Sequence, residues 1–227
     1  MKILWSLATG GRPKTAAISL AATAFLASQM NDIQVDVVRW KDDTEVPESL
    51  NVIEMPYTTK PEALNASLAA YEDRHGLPDF WVTTDDDIVL SSDTLTNIIQ
   101  VMDEDRSIWL GSGWNDGCER NPPRGVLRSV GQHVVQYDNG GEPFCVGGAL
   151  HVIRRELLET LGPYSTDHPR TEDDEFTRRV RGSGHKAVIV RTAVVAIMPD
   201  DGVWEEYRPR LLKMHWEGWR DSRGVIG

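Results

Sequence analysis

Cysteine is nearly absent. The 227-residue chain holds only Cys118 and Cys145, far apart, with no CxxC pair and no histidine at metal-ligand spacing. That excludes a disulfide framework and a thiolate zinc site, and leaves reduced thiols as the expectation for a cytoplasmic protein. No run of about 18 apolar residues occurs, so no membrane-spanning helix is expected. The opening MKILWSLATGGRP has one lysine and an apolar run broken by Ser6 and Thr9, which reads as a strand and a glycine turn rather than a secretory leader. Basic residues are also in deficit, 24 Lys and Arg against 35 Asp and Glu, giving a net charge of -11. Such a balance disfavours non-specific binding of a polyanion. The deficit is uneven, however: residues 201–227 carry five basic and five acidic side chains, so a locally neutral tail could still face an anionic ligand.

What the chain does have is a dense acidic knot. Residues 80–90, FWVTTDDDIVL, end an apolar run abruptly in Asp85, Asp86 and Asp87, then turn apolar again at Ile88, Val89 and Leu90. Three adjacent carboxylates repel one another, and burial raises their pKa values unless a cation offsets the charge. At the end of a buried strand such a cluster reads as a divalent-metal site built from hard oxygen ligands, the alternative being a solvated acidic loop.

The neighbouring segments give that knot a context. Residues 2–8 read as a strand leading into Thr9-Gly10-Gly11-Arg12-Pro13, with a helix continuing over 16–30. A strand, a glycine turn and a helix N-terminus form a possible anion cradle with Arg12 as a donor, although GGRP has neither the dinucleotide nor the P-loop glycine spacing. Residues 34–40 read as a second strand running into Asp42 and Asp43, 51–55 as a short third, and 61–74 as a helix with Leu64, Leu68 and Tyr71 on one stripe. This alternation predicts an α/β fold with a mainly parallel sheet covered by helices, in which ligands bind beyond the carboxyl ends of the strands. Ser92 is the expected cap of a helix over 93–102 with acids in its first turn.

Beyond a strand at 107–111, the Gly- and Pro-rich stretch 112–141 reads as loops plus one strand near 126–130. Residues 145–152 return to strand, where Gly147 and Gly148 permit close backbone approach, and 154–161 form a short helix. Thr171 then caps a helix beginning Glu172-Asp173-Asp174-Glu175, on which Phe176 and Val180 would bury. The acids either serve chemistry or merely complement the helix dipole. Residues 186–190 and 194–198 read as strands.

In order along residues 2–200, these segments resemble the GT-A glycosyltransferases, the broad superfamily that includes the chitin, cellulose and hyaluronan synthase catalytic domains. The specific parts are WVTTDDDIVL, similar to a strand followed by a DxD motif, and FCVGGALHVIRRELLETLG followed by TEDDEFTRRVRGSGHKAVIV, similar to the glycine-rich strand, the Arg-Arg helix and the ED motif. ALNASLAA is similar to the helix before the DxD strand but lacks the usual Arg before Asn65. The resemblance implies a GT-A, Rossmann-like fold with helices on both faces. It also implies transfer of a sugar, with inversion, from a nucleotide-sugar donor (UDP-linked as the first expectation) using Mn2+ or Mg2+.

Position by position, the resemblance makes Asp87 a metal ligand and Asp85 a ribose contact or a second metal ligand, with Asp86 beside them on the donor side. Asp42 or Asp43 matches the second-strand acid near the base, Thr9 and Arg12 the first nucleotide-binding loop, and Gly147 and Gly148 the glycine-rich donor-binding segment. Asp173 matches the acid that deprotonates the acceptor hydroxyl, with Glu172 as its orienter. The family's metal-binding His after the last strands is missing from Ala196-Ile197-Met198-Pro199, which leaves His215 as the candidate. The expected division is one catalytic domain over 1–200, donor half to about 105 and acceptor half beyond, with 201–227 as a tail. Trp204, Tyr207, Trp216 and Trp219 in the tail, and Trp114, suit an acceptor wall or simple packing. The acceptors implied are glycans, small molecules or hydroxylated nucleic-acid bases. The competing classes are a sugar nucleotidyltransferase and an inactive nucleotide-sugar-binding module.

Overall fold

The computed structural model describes residues 1–40, 44–56, 58–116, 125–138, 145–167 and 171–198; Asp42, Asp43, His215 and the aromatic tail lie outside them. Among the described residues ten strands form one sheet. β1 (Ile3–Thr9), β2 (Ile33–Arg39), β3 (Asn51–Glu54) and β4 (Phe80–Thr84) are mutually parallel. Beyond β4 the sheet is mixed: β9 (Leu150–Arg154) runs antiparallel to both β4 and β6 (Ile108–Asp116), and β6 is parallel to β10 (Lys186–Ile197). The hairpin of β7 (Val126–Val130) and β8 (His133–Tyr137) closes that edge, while the short β5 (Ile88–Leu90) pairs with the far end of β10.

Helices cover both faces because the strands are apolar on both. Two buried clusters divide each strand by its two-residue alternation: Ile3, Trp5 and Leu7 face one way, Leu4 and Ala8 the other. The first face packs α1 (Pro13–Ala27) and α3 (Thr94–Glu104). The second packs α2 (Lys60–His75), α4 (Arg155–Leu161) and α5 (Glu172–Gly182), whose Leu68, Leu157 and Phe176 meet Trp81. Each such side chain contributes about 1.5–3 kcal/mol on leaving water. Among the described residues no helix is long and apolar enough to cross a membrane.

A directional polar chain ties β4, β1, α2 and β2 together. Asp36 on β2 is fully buried and accepts from Gln34 (2.7 Å), Asn51 (2.9 Å) and Ser67 (3.1 Å). Because the Ser67 hydroxyl is spent on Asp36, Ser6 donates to Ser67 (2.6 Å), and the Trp81 indole donates to Ser6 (2.8 Å). A buried carboxylate is tolerated only when its lone pairs are used in this way.

The strand and helix expectations hold in order, with several departures. The strand expected over 145–152 begins only at Leu150, so Gly147 and Gly148 precede it, and β5 is an additional strand. Asp93, not Ser92, caps α3, whose first turn has no acid. The stretch 112–141 is less loop-like than its glycines suggest, since β6 runs on to Asp116 and β8 buries Val135 and Tyr137. Thr171 occupies the cap position of α5 without a capping hydrogen bond from its side chain. The two strands expected over 186–198 are one, with irregular register between Val190 and Val194 where β10 passes from β8 to β5.

Gly113 has no room for a side chain: a Cβ would lie 2.6 Å from the Ala193 carbonyl oxygen and from Val195 Cγ2. Gly113→Ala is expected to cost about 1–3 kcal/mol by overpacking, read as a lower urea midpoint at unchanged slope.

Candidate active site

The parallel strands β1 and β4 end at the same edge, and their end-loops meet. Asp85 follows β4 directly and is fixed by its own N–H, which donates to the Ala149 carbonyl (3.1 Å). Asp87 is fixed at its carbonyl, which accepts from Met198 N (2.6 Å) beyond β10. The glycine turn after β1 lies opposite. Gly10 cannot carry a Cβ because Trp40 packs 2.5 Å from that position, and its N–H donates to Asp86. Arg12 reaches across with both guanidinium ends, Nη2 to Asp86 Oδ1 (2.5 Å) and Nη1 to Asp87 Oδ2. Burial still raises the pKa of Asp86 and of Asp87 above the ordinary carboxylate value, repulsion between neighbouring acids adds to the rise, and Arg12 offsets only part of it.

A second group of acids approaches from later in the chain. α5 begins at Glu172, which is buried, with Asp173 beside it. Asp173 is held at both oxygens: Oδ2 accepts from Gly148 N (3.1 Å) and Oδ1 from Asp174 N (2.8 Å). Between the two acid groups stands a residue that the sequence reading left out. Lys60 Nζ lies 2.5 Å from Asp85 Oδ1 and 3.1 Å from Glu172 Oε1, and donates to the Gly148 carbonyl (3.1 Å). Burial opposes its charge, but Asp85 and Glu172 outweigh that and hold its pKa above the ordinary lysine value. The available signal was a cation in the first turn of α2, where it opposes the helix dipole.

Under the rim runs a second directional chain. His151 is fully buried, its pKa lowered by desolvation, so the ring is neutral. Nε2 faces the Val146 carbonyl (2.9 Å), which can only accept, so Nε2 carries the proton. Nδ1 then accepts from the Tyr164 hydroxyl (2.7 Å), and Tyr164 in turn accepts from Thr83 (2.8 Å). The strand carrying the acid triplet is thereby locked to the segment carrying Gly147 and Gly148.

The structure therefore brings Arg12, Asp85, Asp86, Asp87, Gly148, Glu172 and Asp173 to one rim, through Arg12 and Lys60. Thr9 ends β1 at this edge with its Oγ1 buried and, among the described residues, without a hydrogen-bond partner. Gly147 adjoins the rim in sequence, and a Cβ there would meet only Asn115 at 3.9 Å. Arg191 lies over Trp114, its guanidinium carbon 3.6 Å from the ring centre. Cys145 is half-buried, its thiol pKa raised by desolvation, and carries no reactive character. Among the described residues no three His, Cys, Asp or Glu side chains converge on a ready cation cage. The carboxylates of Asp85 and Asp87 nevertheless have the hard oxygen chemistry of a Mn2+ or Mg2+ site, with Lys60 and Arg12 now against them.

A scan against protein-family models gives no match, and neither does a search of curated proteins. Solved structures do match. A mannosyltransferase from Pyrobaculum calidifontis, in complex with GDP-Man and Mn2+, aligns over 100% of this chain at TM-score 0.66 and 18% identity. TarS from S. aureus aligns over 88% at TM-score 0.65 and 13% identity. GalNAc-T7 with UDP, GalNAc and Mn2+ aligns over 88% at TM-score 0.61 and 14% identity. The chain spans 65%, 37% and 44% of those three proteins respectively. The fold is GT-A.

The raised carboxyl pKa values carry a pH signature. A group whose folded pKa lies above its unfolded value favours the native state while protonated, and that contribution is lost as pH rises through the raised pKa. Asp86→Asn removes the charge and keeps the shape. It should raise the melting temperature of the cation-free protein by a few degrees at pH 7, roughly 1 kcal/mol, and by much less at pH 4, as followed by calorimetry.

Proposed function

We propose that this chain is a metal-dependent glycosyltransferase moving a sugar from a nucleotide-sugar donor to an acceptor hydroxyl with inversion. The observation that carries the reading is the convergence of two acid groups of different character on one rim. Asp85, Asp86 and Asp87 lie against cations, while Asp173 touches only backbone N–H groups among its described hydrogen bonds. Solved structures of the same fold were determined with GDP-Man and Mn2+ and with UDP, GalNAc and Mn2+, which supports nucleotide-sugar donors and a divalent cation here.

Asp87 and Asp85 would hold Mn2+ or Mg2+, which supplies Lewis-acid stabilisation of the charge developing on the leaving diphosphate. Arg12, paired with Asp86 and Asp87 and half-buried, is placed to turn its guanidinium toward that diphosphate. Thr9 and the Gly10–Gly11 turn would receive the nucleotide at the carboxyl edge of β1, Thr9 offering its unused buried hydroxyl. On the opposite side Asp173 takes the proton of the acceptor hydroxyl. The acceptor oxygen forms its bond to the anomeric carbon as the bond to the β-phosphate oxygen breaks, and the nucleoside diphosphate departs with the electron pair. One carboxylate opposite the leaving group gives a single displacement and inversion. Asp42, Asp43 and His215, proposed for the base and the metal, lie outside the described residues.

Release of nucleoside diphosphate from a panel of UDP- and GDP-sugars with Mn2+ tests the reading, UDP-sugars being the expected donors. Pyrophosphate from a nucleoside triphosphate would instead indicate a nucleotidyltransferase. Asp173→Asn is expected to lower turnover by about 100- to 10,000-fold while UDP affinity measured by calorimetry stays unchanged. Retained turnover would remove Asp173 as base. Asp87→Ala should weaken Mn2+-dependent UDP binding about tenfold or more, roughly 1.4 kcal/mol, on the same calorimeter.

A further inference from the structure

We infer that Lys60 is a positioning residue for the acceptor-side base, acting on Asp173 through Gly148 and Glu172; the inference rests on the glycosyltransferase reading. Its place is set by local structure. Glu62 reaches back to the Thr59 N–H (2.8 Å) and fixes the start of α2, so that Lys60 is the first residue of the helix. A cation there works against the helix dipole, and packing on the core gives no reason for it.

Its contacts do. An ammonium has three N–H donors and no acceptor. Three oxygens, one each on Asp85, Glu172 and Gly148, lie within 3.1 Å of the nitrogen. Each comes from a different part of the chain: the end of the donor strand, the first residue of the acceptor-side helix, and the glycine segment between them. Gly148 is held from both sides, its carbonyl by Lys60 and its N–H by Asp173 Oδ2 (3.1 Å). A Cβ on Gly148 would lie 3.2 Å from both Lys60 Nζ and Asp173 Cβ, so Gly148 packs against both.

Two consequences follow for the base. The ammonium draws Glu172 toward the donor acids, which leaves the adjacent Asp173 as the carboxylate directed elsewhere. It also fixes the glycine whose N–H orients the Asp173 carboxylate. Without Lys60, Asp85 and Glu172 face each other with no cation between them, and Gly148 is held from one side only. Lys60 therefore acts on the proton-accepting step through other residues, and touches neither the acceptor nor the reacting carbon.

Lys60→Met keeps the length of the side chain and removes the charge; Lys60→Arg keeps the charge. The donor is the UDP- or GDP-sugar that the wild-type protein turns over fastest with Mn2+. Lys60→Met is expected to lower kcat about 100-fold through misplacement of the base. Donor KM, and UDP affinity by calorimetry in Mn2+, should stay within about threefold of wild type. Lys60→Arg should recover part of kcat. Amide exchange of a peptide covering 146–150 should quicken about tenfold in Lys60→Met even without nucleotide, because the clamp on Gly148 is gone. A rise in KM and a loss of UDP affinity with kcat intact would make Lys60 a donor ligand and overturn the inference. So would unchanged kcat and exchange, or a fall in kcat explained wholly by a smaller folded fraction at the assay temperature. Wild-type silence toward every nucleotide sugar would overturn the glycosyltransferase reading itself, whereas an active wild type with an unaffected Lys60→Met overturns this inference alone.

Discussion

Like charge held at close quarters is the constraint to which the rest of the structure answers. Five carboxylates, from the acid triplet and from the start of α5, are gathered at one edge of the sheet. Two unit charges about 4 Å apart repel by about 4 kcal/mol at an effective dielectric of about 20, comparable with a large part of the stability of an ordinary domain. Asp85 and Glu172 share one ammonium, so they can be no further apart than their two distances to Lys60 allow. Arg12 answers Asp86 and Asp87 in the same manner. Burial, joined by repulsion from the neighbouring acids, still holds the pKa of both aspartates above the ordinary carboxylate value.

The scaffold beneath is built to hold that tension. The chain from Trp81 through Ser6 and Ser67 to Asp36 joins β4, β1, α2 and β2 by side chains whose donors each have one available acceptor. The chain from Thr83 through Tyr164 and His151 to the Val146 carbonyl does the same between the donor strand and the glycine segment. In the second chain His151 is kept neutral by burial.

Much of this could be read from the sequence, and the reasons are physical. Residues 80–84 were legible as a strand because an apolar run meeting three acids has to end there, and the strand ends at Thr84. α5 was legible from Phe176 and Val180 one turn apart, both fully buried. β8 was not, because HVVQY sits among glycines and polar residues, and its burial depends on pairing with β10, a partner distant in sequence. Asp93 takes the capping role from Ser92 by a shift of one residue, which composition cannot resolve. Lys60 was missed for a related reason. A helix expected to start at Pro61 placed the lysine just outside it, and its partners lie in three other segments. The acid groups were found because they cluster in sequence; the cations that organise them cluster only in space.

That difference bears on how the site divides its labour. The two cations are not equivalent, although each bridges two acids. Arg12 sits in a glycine turn and is about one-third exposed, with both partners drawn from the donor triplet. Movement of its guanidinium would alter the donor side alone. Lys60 stands on a helix fixed by a capping box, is less exposed at 24%, and has one partner on each side of the site. Any displacement of Lys60 from Asp85 is felt at Glu172 and Gly148, hence at Asp173. On the proposed reading, charge arriving at Asp85 would be coupled to Asp173 by way of a single ammonium.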